Sequence, residues 1–138
     1  MKSPYEYLFA YGTLRRNRND QSPHPLLKGC LFVSYATMAG QMYEVDGYPA
    51  VISNQTGQVH GELYWLPNPH QTLLALDVYE ECAAHFPLPH EYRRSQRAIM
   101  LDQQSTTDAW VYLYNWPVAN LRIIPSGDYF NEAQTGRQ

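Results

Sequence analysis

A glutamate stands where an apolar residue would be expected. In the stretch PNPHQTLLALDVYEE, residues 67–81, hydrophobic positions recur at helical spacing. At about 100° per residue, Glu80 falls beside Leu76 and Leu73, its neighbours at i−4 and i−7. A carboxylate on an apolar stripe loses hydration, which penalises its charged form and moves its pKa toward neutrality. That is the property a general base needs near pH 7. Glu81 lies next to Asp77 on the same wheel and has the easier route to water. A competing reading pairs Glu80 with Arg93 or Arg94, or lets it reach solvent at the helix end. Periodicity alone leaves both readings open.

A second stretch, FAYGTLRRN over residues 9–17, runs from strand-like residues into Gly-Thr-Leu and then into Arg15, Arg16 and Arg18. A solvated loop face would account for these arginines. So would a site for an anionic small molecule. Other chemistries find little support. His24, His60, His70, His85 and His90 show no HxH or HExxH spacing, and Cys82 with His85 is a CxxH without a second pair, so no metal is expected. No serine sits in a G-x-S-x-G context. Cys82 follows two glutamates, a poor setting for a thiolate nucleophile.

The elements that must position these residues are mostly strands. Tyr5–Tyr11 reads as a strand that is apolar on both faces toward its end, hence central in a sheet. Gly12–Pro25 reads as a polar loop. Cys30–Val45 suggests one or two strands broken at Ala39-Gly40. Asp46-Gly47 is a turn signal before a short strand. Thr56-Gly57 reads as a second turn, before the alternating strand QVHGELYWL, in which Gly61 signals a bulge or a close backbone approach. The helix has Asn68 as its cap, Pro69 at its first position and Gln71 completing a capping box. Pro87 and Pro89 exclude its continuation. Tyr92–Met100 and Ala109–Asn115 read as two further strands around a polar turn at Gln103–Asp108. This order indicates an α+β domain built on a curled sheet or small barrel.

The chain has 138 residues, a single-domain length with a core over about 5–130 and a frayed tail over 131–138. Hydrophobic residues make up 44% and charged residues 17%, an ordinary globular balance. A net charge of −3 lacks the basic footprint of a nucleic-acid binder. Twelve tyrosines and three tryptophans favour strands. Two cysteines, with no CxxC pair, do not make a disulfide framework. The N-terminus is too short and too acidic in its apolar stretch for a signal peptide, and no run approaches the roughly 18 apolar residues of a membrane span. A cytoplasmic protein without membrane contact is expected.

Three stretches together carry a family resemblance: FAYGTL, LALDVYE and AWVYLYNWPVANLRIIPSGDYF. They resemble the γ-glutamylcyclotransferase-like superfamily, in particular its small bacterial AIG2-like members, over residues 7–130. The resemblance implies a small mixed β-barrel with short helices. It implies an enzyme, a C–N lyase without a cofactor, whose substrate is a small γ-glutamyl amine or peptide and whose products are 5-oxoproline and a free amine. Tyr11, Gly12, Thr13 and Leu14 match the loop that holds the γ-glutamyl group through backbone N–H groups. Glu80 matches the acid/base residue, the one the helical wheel singles out. Tyr92 and Tyr114 are further candidates for the pocket, because their strands border the helix end; HFPLPH (residues 85–90) and Trp116 are candidates for its acceptor side. Two departures stand out. Many relatives have glycine after the catalytic glutamate, where this chain has Glu81-Cys82. The segment Ala83–His90 is also long, and reads as a lid or as a spacer that misaims Glu80. The alternative to catalysis is a metabolite-binding protein using the same pocket.

Overall fold

The computed structural model describes residues 5–102 and 105–130; the tail expected to fray over 131–138 lies outside them. Among the described residues the main elements follow in the order β1 (Tyr7–Ala10), β2 (Leu31–Val45), β3 (Tyr48–Trp65), α1 (Pro69–Tyr79), β4 (Tyr92–Met100), β5 (Thr106–Tyr114) and β6 (Arg122–Ile123). A single 3₁₀ turn at Pro25–Leu27 sits in the loop after β1. Strands pair in the order β3-β1-β5-β4-β2, and β2 pairs back onto β3. The result is a closed five-stranded barrel, mixed because β1 runs parallel to β5 and every other pair is antiparallel. The two-residue β6 adds to the outer part of β2.

Closure explains why β1 is apolar on both faces. Phe9 and Tyr11 belong to one buried cluster with Met38, Val59, Leu63 and Val111. Leu8 and Ala10 point the other way, into a second cluster with Tyr64, Tyr112 and the helix residues Leu73 and Leu76. Successive strand residues thus serve the barrel interior and the underside of α1 in turn. β1 lies between β3 and β5, the central position its sequence indicates.

The β2–β3 hairpin turns at Asp46-Gly47, with φ of 49° and 87°, the left-handed pair that a tight two-residue hairpin requires. Thr56-Gly57 is not a turn between strands. β3 runs on past it, and residues 54–57 bulge out between Ser53, opposite Gly40, and Gln58, opposite Ala39. Asn54 Oδ1 accepts hydrogen bonds from the Thr56 amide and hydroxyl, both at 2.6 Å, so a local side-chain turn is embedded in a longer strand. Gly61 fulfils the close-approach reading: a Cβ there would meet the Ala10 carbonyl oxygen at 2.5 Å and the Phe9 ring at 2.7 Å. β5 starts at Thr106, earlier than its sequence suggests, because Thr106 and Asp108 face solvent and need no apolar side chain. Among the described residues no helix is long and apolar enough to cross a membrane.

α1 differs from its expected form at both ends. Asn68 makes no side-chain capping bond, so Pro69 at the first position, with its preset φ, marks the start without a capping box. The helix stops at Tyr79, and Glu80 is its C-cap residue.

Candidate active site

The turn that ends α1 fixes where Glu80 points. The Glu81 amide donates to the Val78 carbonyl at 3.0 Å and the Cys82 amide to the Asp77 carbonyl at 2.9 Å. Together these bonds form a Schellman closure, which needs a left-handed residue after the C-cap. Glu81 fills that place at φ 57°. The turn is therefore the one a glycine would make, with a glutamate strained into it, and the missing glycine leaves the backbone path intact. L-residues pay roughly 1–2 kcal/mol in this region. Glu81→Gly is accordingly expected to stabilise the fold by about 1 kcal/mol, after the entropic cost of glycine, as read by urea denaturation.

Glu80 lies on the wall of a cavity of about 340 Å³, together with Tyr11, Gly12, Thr13 and Leu14. Burial raises its carboxyl from 4.5 to about 7, with the nearby charge of Glu91 adding to the shift. The arginines that compete for it are placed elsewhere. Arg94 binds Asp77 through two nitrogens, at 2.8 and 3.2 Å, and stacks on Trp110. Arg93 is exposed on the strand. Among the described residues, no cation lies within ion-pair distance of Glu80.

Asp77, the other acid of the Leu-Asp-x-x-Glu segment, is fully engaged. Besides Arg94 it accepts the Tyr112 hydroxyl at 2.8 Å, which ties the end of α1 to β4 and β5. Burial raises the Tyr112 and Tyr11 phenols, so both stay protonated donors at neutral pH. Tyr11 donates to the Tyr112 carbonyl at 2.5 Å. Tyr92 also lines the cavity and donates to the Pro49 carbonyl at 2.9 Å.

The loop after β1 closes with the Arg15 amide donating to the Gly12 carbonyl at 3.0 Å. The amides of Gly12, Thr13 and Leu14 donate to no protein acceptor among the described residues. They stand as unspent donors beside the cavity. Gly12 has a structural reason of its own: a Cβ would lie 2.6 Å from Pro49 Cγ. Gly12→Ala is expected to cost about 1–3 kcal/mol by overpacking and to shift the Thr13 and Leu14 amides, checked by denaturation and by loss of ligand binding.

Some expected neighbours are absent. Tyr114 is not on the cavity wall; it packs edge-on against Tyr92, at 5.5 Å between ring centroids, on the same strand face as Tyr112 but two residues farther along β5. No residue of HFPLPH reaches the wall, and Trp116 instead donates to the Pro89 carbonyl at 3.1 Å. Among the residues that sequence reasoning missed, Tyr48, Tyr79, Glu91 and Tyr112 bring polar groups to the cavity wall. Tyr48 holds Glu91 at 3.1 Å. Only a charged residue directly before the β4 tyrosine hinted at Glu91.

The arginines divide. Arg15 is buried, with Nε 3.0 Å from Glu62 and Nη1 3.1 Å from Asp128, so it belongs to no solvated face. Glu62 is 1% exposed and also accepts the Arg16 amide at 2.9 Å and the Tyr64 hydroxyl at 2.8 Å.

The family model described as gamma-glutamyl cyclotransferase, AIG2-like matches residues 8–131. The chain belongs to this family. It is 30% identical over 124 residues to the gamma-glutamylcyclotransferase family protein YtfP of Escherichia coli K12, covering 90% of this chain and 96% of that protein. Its fold is shared with an AIG2-like protein of Mus musculus, at a TM-score of 0.66 and 21% identity, over 90% of this chain and 88% of the other. A uropathogenic E. coli-specific protein matches with the same TM-score and identity over 99% of both chains. Within this family fold, the cavity between α1 and the β1 loop is where the half-buried Glu80 carboxyl and the Gly12–Leu14 turn meet.

Proposed function

We propose that the protein is a γ-glutamylcyclotransferase-type lyase releasing 5-oxoproline from a γ-glutamyl amide. The observation that carries this reading is a half-buried carboxyl, raised to about 7, that shares one small cavity with three amides and, among the described residues, has no ion-pair partner, as the amides have no acceptor. The cavity is near the lower end of ligand-site volumes, a size suited to one amino-acid unit. Ring closure needs the substrate's α-amine to reach its own γ-carbonyl. Folding the glutamyl chain back in a close-fitting cavity supplies that geometry, and such orientation is worth roughly 7–11 kcal/mol.

The α-amine enters as an ammonium. Glu80 takes one proton, and the freed nitrogen attacks the γ-carbonyl carbon to form the five-membered ring. Charge gathers on the γ-oxygen, where the amides of the Gly12–Leu14 turn can stabilise it. The C–N bond to the leaving amine then breaks as that nitrogen accepts the proton from Glu80, while the ring nitrogen sheds its extra proton to solvent. A carboxyl whose pKa sits near 7 can both take and return the proton, which is why its burial matters.

Incubation with a panel of γ-glutamyl amides and peptides, with 5-oxoproline quantified by chromatography, tests the reading. Release from at least one of them is expected. A ligand-induced rise in Tm with no product from any substrate would favour the binding-protein reading instead.

A further inference from the structure

The register of β1 against β3 sets Glu62 directly opposite Ala10, two residues before Gly12. Glu62 is 1% exposed and takes no part in the wall of the catalytic cavity. Its two oxygens instead grip the far end of the amide turn. Oε1 accepts the Arg16 amide at 2.9 Å, and Oε2 accepts Arg15 Nε at 3.0 Å. Tyr64, on the same face of β3, donates its hydroxyl to Oε1 at 2.8 Å. Burial and this bond raise the Tyr64 phenol, so it stays a donor.

The same two loop residues are held from other directions. Arg15 Nη1 reaches Asp128 Oδ1 at 3.1 Å, and its guanidinium lies 4.0 Å from the centre of the Phe130 ring. The segment bearing Asp128 is strapped to β3, where the His60 amide donates to the Gly127 carbonyl at 2.8 Å. A Cβ on Gly127 would meet the Gln58 carbonyl oxygen at 1.9 Å, so glycine lets the strap lie flat on the strand. The Arg16 guanidinium lies 3.6 Å from the centre of the Phe32 ring and donates to the Tyr35 hydroxyl at 3.1 Å. β2, β3 and the C-terminal strap thus converge on Arg15 and Arg16.

Such a clamp is a poor source of stability. Taking a carboxylate and a guanidinium out of water costs about as much as their attraction returns, and neutral pairs of similar shape often serve the fold as well. What the clamp supplies is direction. Glu62 takes the Arg16 amide and the Gly12 carbonyl takes the Arg15 amide, so the amides of Gly12, Thr13 and Leu14 are the ones left beside the cavity. Backbone donors stabilise a developing oxyanion best when they are already oriented, and a turn fixed only at its β1 end would swing.

We infer that Glu62, acting through Arg15 and Arg16, is a positioning residue that aims the Gly12–Leu14 amides at the γ-carbonyl oxygen. This rests on the cyclotransferase reading and adds to it a residue that never touches substrate.

The test is the neutral double variant Arg15→Met/Glu62→Gln, in which no charge is stranded. Its kcat for 5-oxoproline release is expected to fall roughly 10- to 100-fold, less than the loss of a whole oxyanion donor. KM should change by less than about threefold, because the interaction lost is one made in the transition state. Arg15→Lys, which keeps a cation against Glu62, should restore part of the rate lost in Arg15→Met. Glu62→Asp keeps the charge but is one methylene too short to hold Arg15 and the Arg16 amide together, and should lose rate in the same range as the double variant. NMR relaxation reads the role without turnover. Order parameters of the Gly12, Thr13 and Leu14 amides are expected to drop from about 0.85 toward 0.6 in the double variant, while those of Leu63 and Val111 hold. A double variant that keeps kcat within about threefold of wild type, or that loses it with the turn amides as ordered as before, would overturn the positioning role. If wild type releases no 5-oxoproline, amides that loosen in the double variant sink the reaction and keep the clamp; amides that stay ordered sink both.

Discussion

Glu80→Gln is expected to lower kcat/KM for 5-oxoproline release by roughly 10²–10⁴-fold, the usual contribution of a positioned acid–base group. The amide keeps the shape of the carboxyl but can neither take the ammonium proton nor return it. In the unaltered protein, kcat/KM should rise as pH climbs through about 7, where Glu80 becomes a base. The variant's residual rate should lack that limb. The same substitution carries an opposite stability effect. The folded-state pKa lies above the unfolded value, so between about 4.5 and 7 the native protein holds a proton that the unfolded chain releases. Wild-type stability therefore falls across that window and levels off above it. At about 1.4 kcal/mol per pKa unit, the loss amounts to about 3 kcal/mol. Glu80→Gln should match wild type below pH 4.5 and exceed it by up to that amount at pH 8, as read by urea denaturation at both pH values. An unchanged catalytic rate would remove Glu80 from the chemistry. A variant no more stable at pH 8 would mean that the carboxyl is not desolvated.

The second large effect is expected at Arg15. Arg15→Met leaves Glu62 charged, 1% exposed and without its cationic partner, and breaking a buried pair in this way costs about 3–5 kcal/mol. The Arg16 amide and the Tyr64 hydroxyl still reach Glu62, which favours the lower half of that range. The double variant Arg15→Met/Glu62→Gln removes the stranded charge and should recover at least half of the loss. Denaturant midpoints for the wild type, both single variants and the double variant give the coupling energy directly. Additive losses would show that the pair carries no special weight.

These two residues also show what a sequence can and cannot display. Glu80 was legible because helical periodicity exposes any polar residue on an apolar stripe, and the family resemblance fell on the same position. The barrel was legible through β1, apolar on both faces, and through the Asp46-Gly47 hairpin signal. The roles of Arg15 and Arg16 were not. Their partners Glu62 and Tyr35 come from β3 and β2, and only the pairing of β3 against β1, with β2 beside it, brings those strands to the loop. Tyr112, Tyr48 and Glu91 escaped for the same reason, as each enters the cavity from a different strand or strand end. Tyr114 shares its strand face with Tyr112 but lies two residues farther along β5, beyond the cavity wall, a distance that alternation alone does not reveal. The Thr56-Gly57 signal was a true local turn, but the strand pairing on either side absorbed it.

The parallel register between Leu8 and Trp110 has a consequence for how the protein folds. The loop bearing Gly12 is anchored by a neighbour that the ribosome makes about a hundred residues later, and such distant pairings form slowly because chain closure must precede any contact energy. A nascent or truncated chain lacking β5 would hold Glu80 and the Gly12–Leu14 amides yet seat the first strand on β3 alone, with its other edge open. Activity should therefore return during refolding together with the last, slowest phase, and no earlier intermediate should turn over substrate.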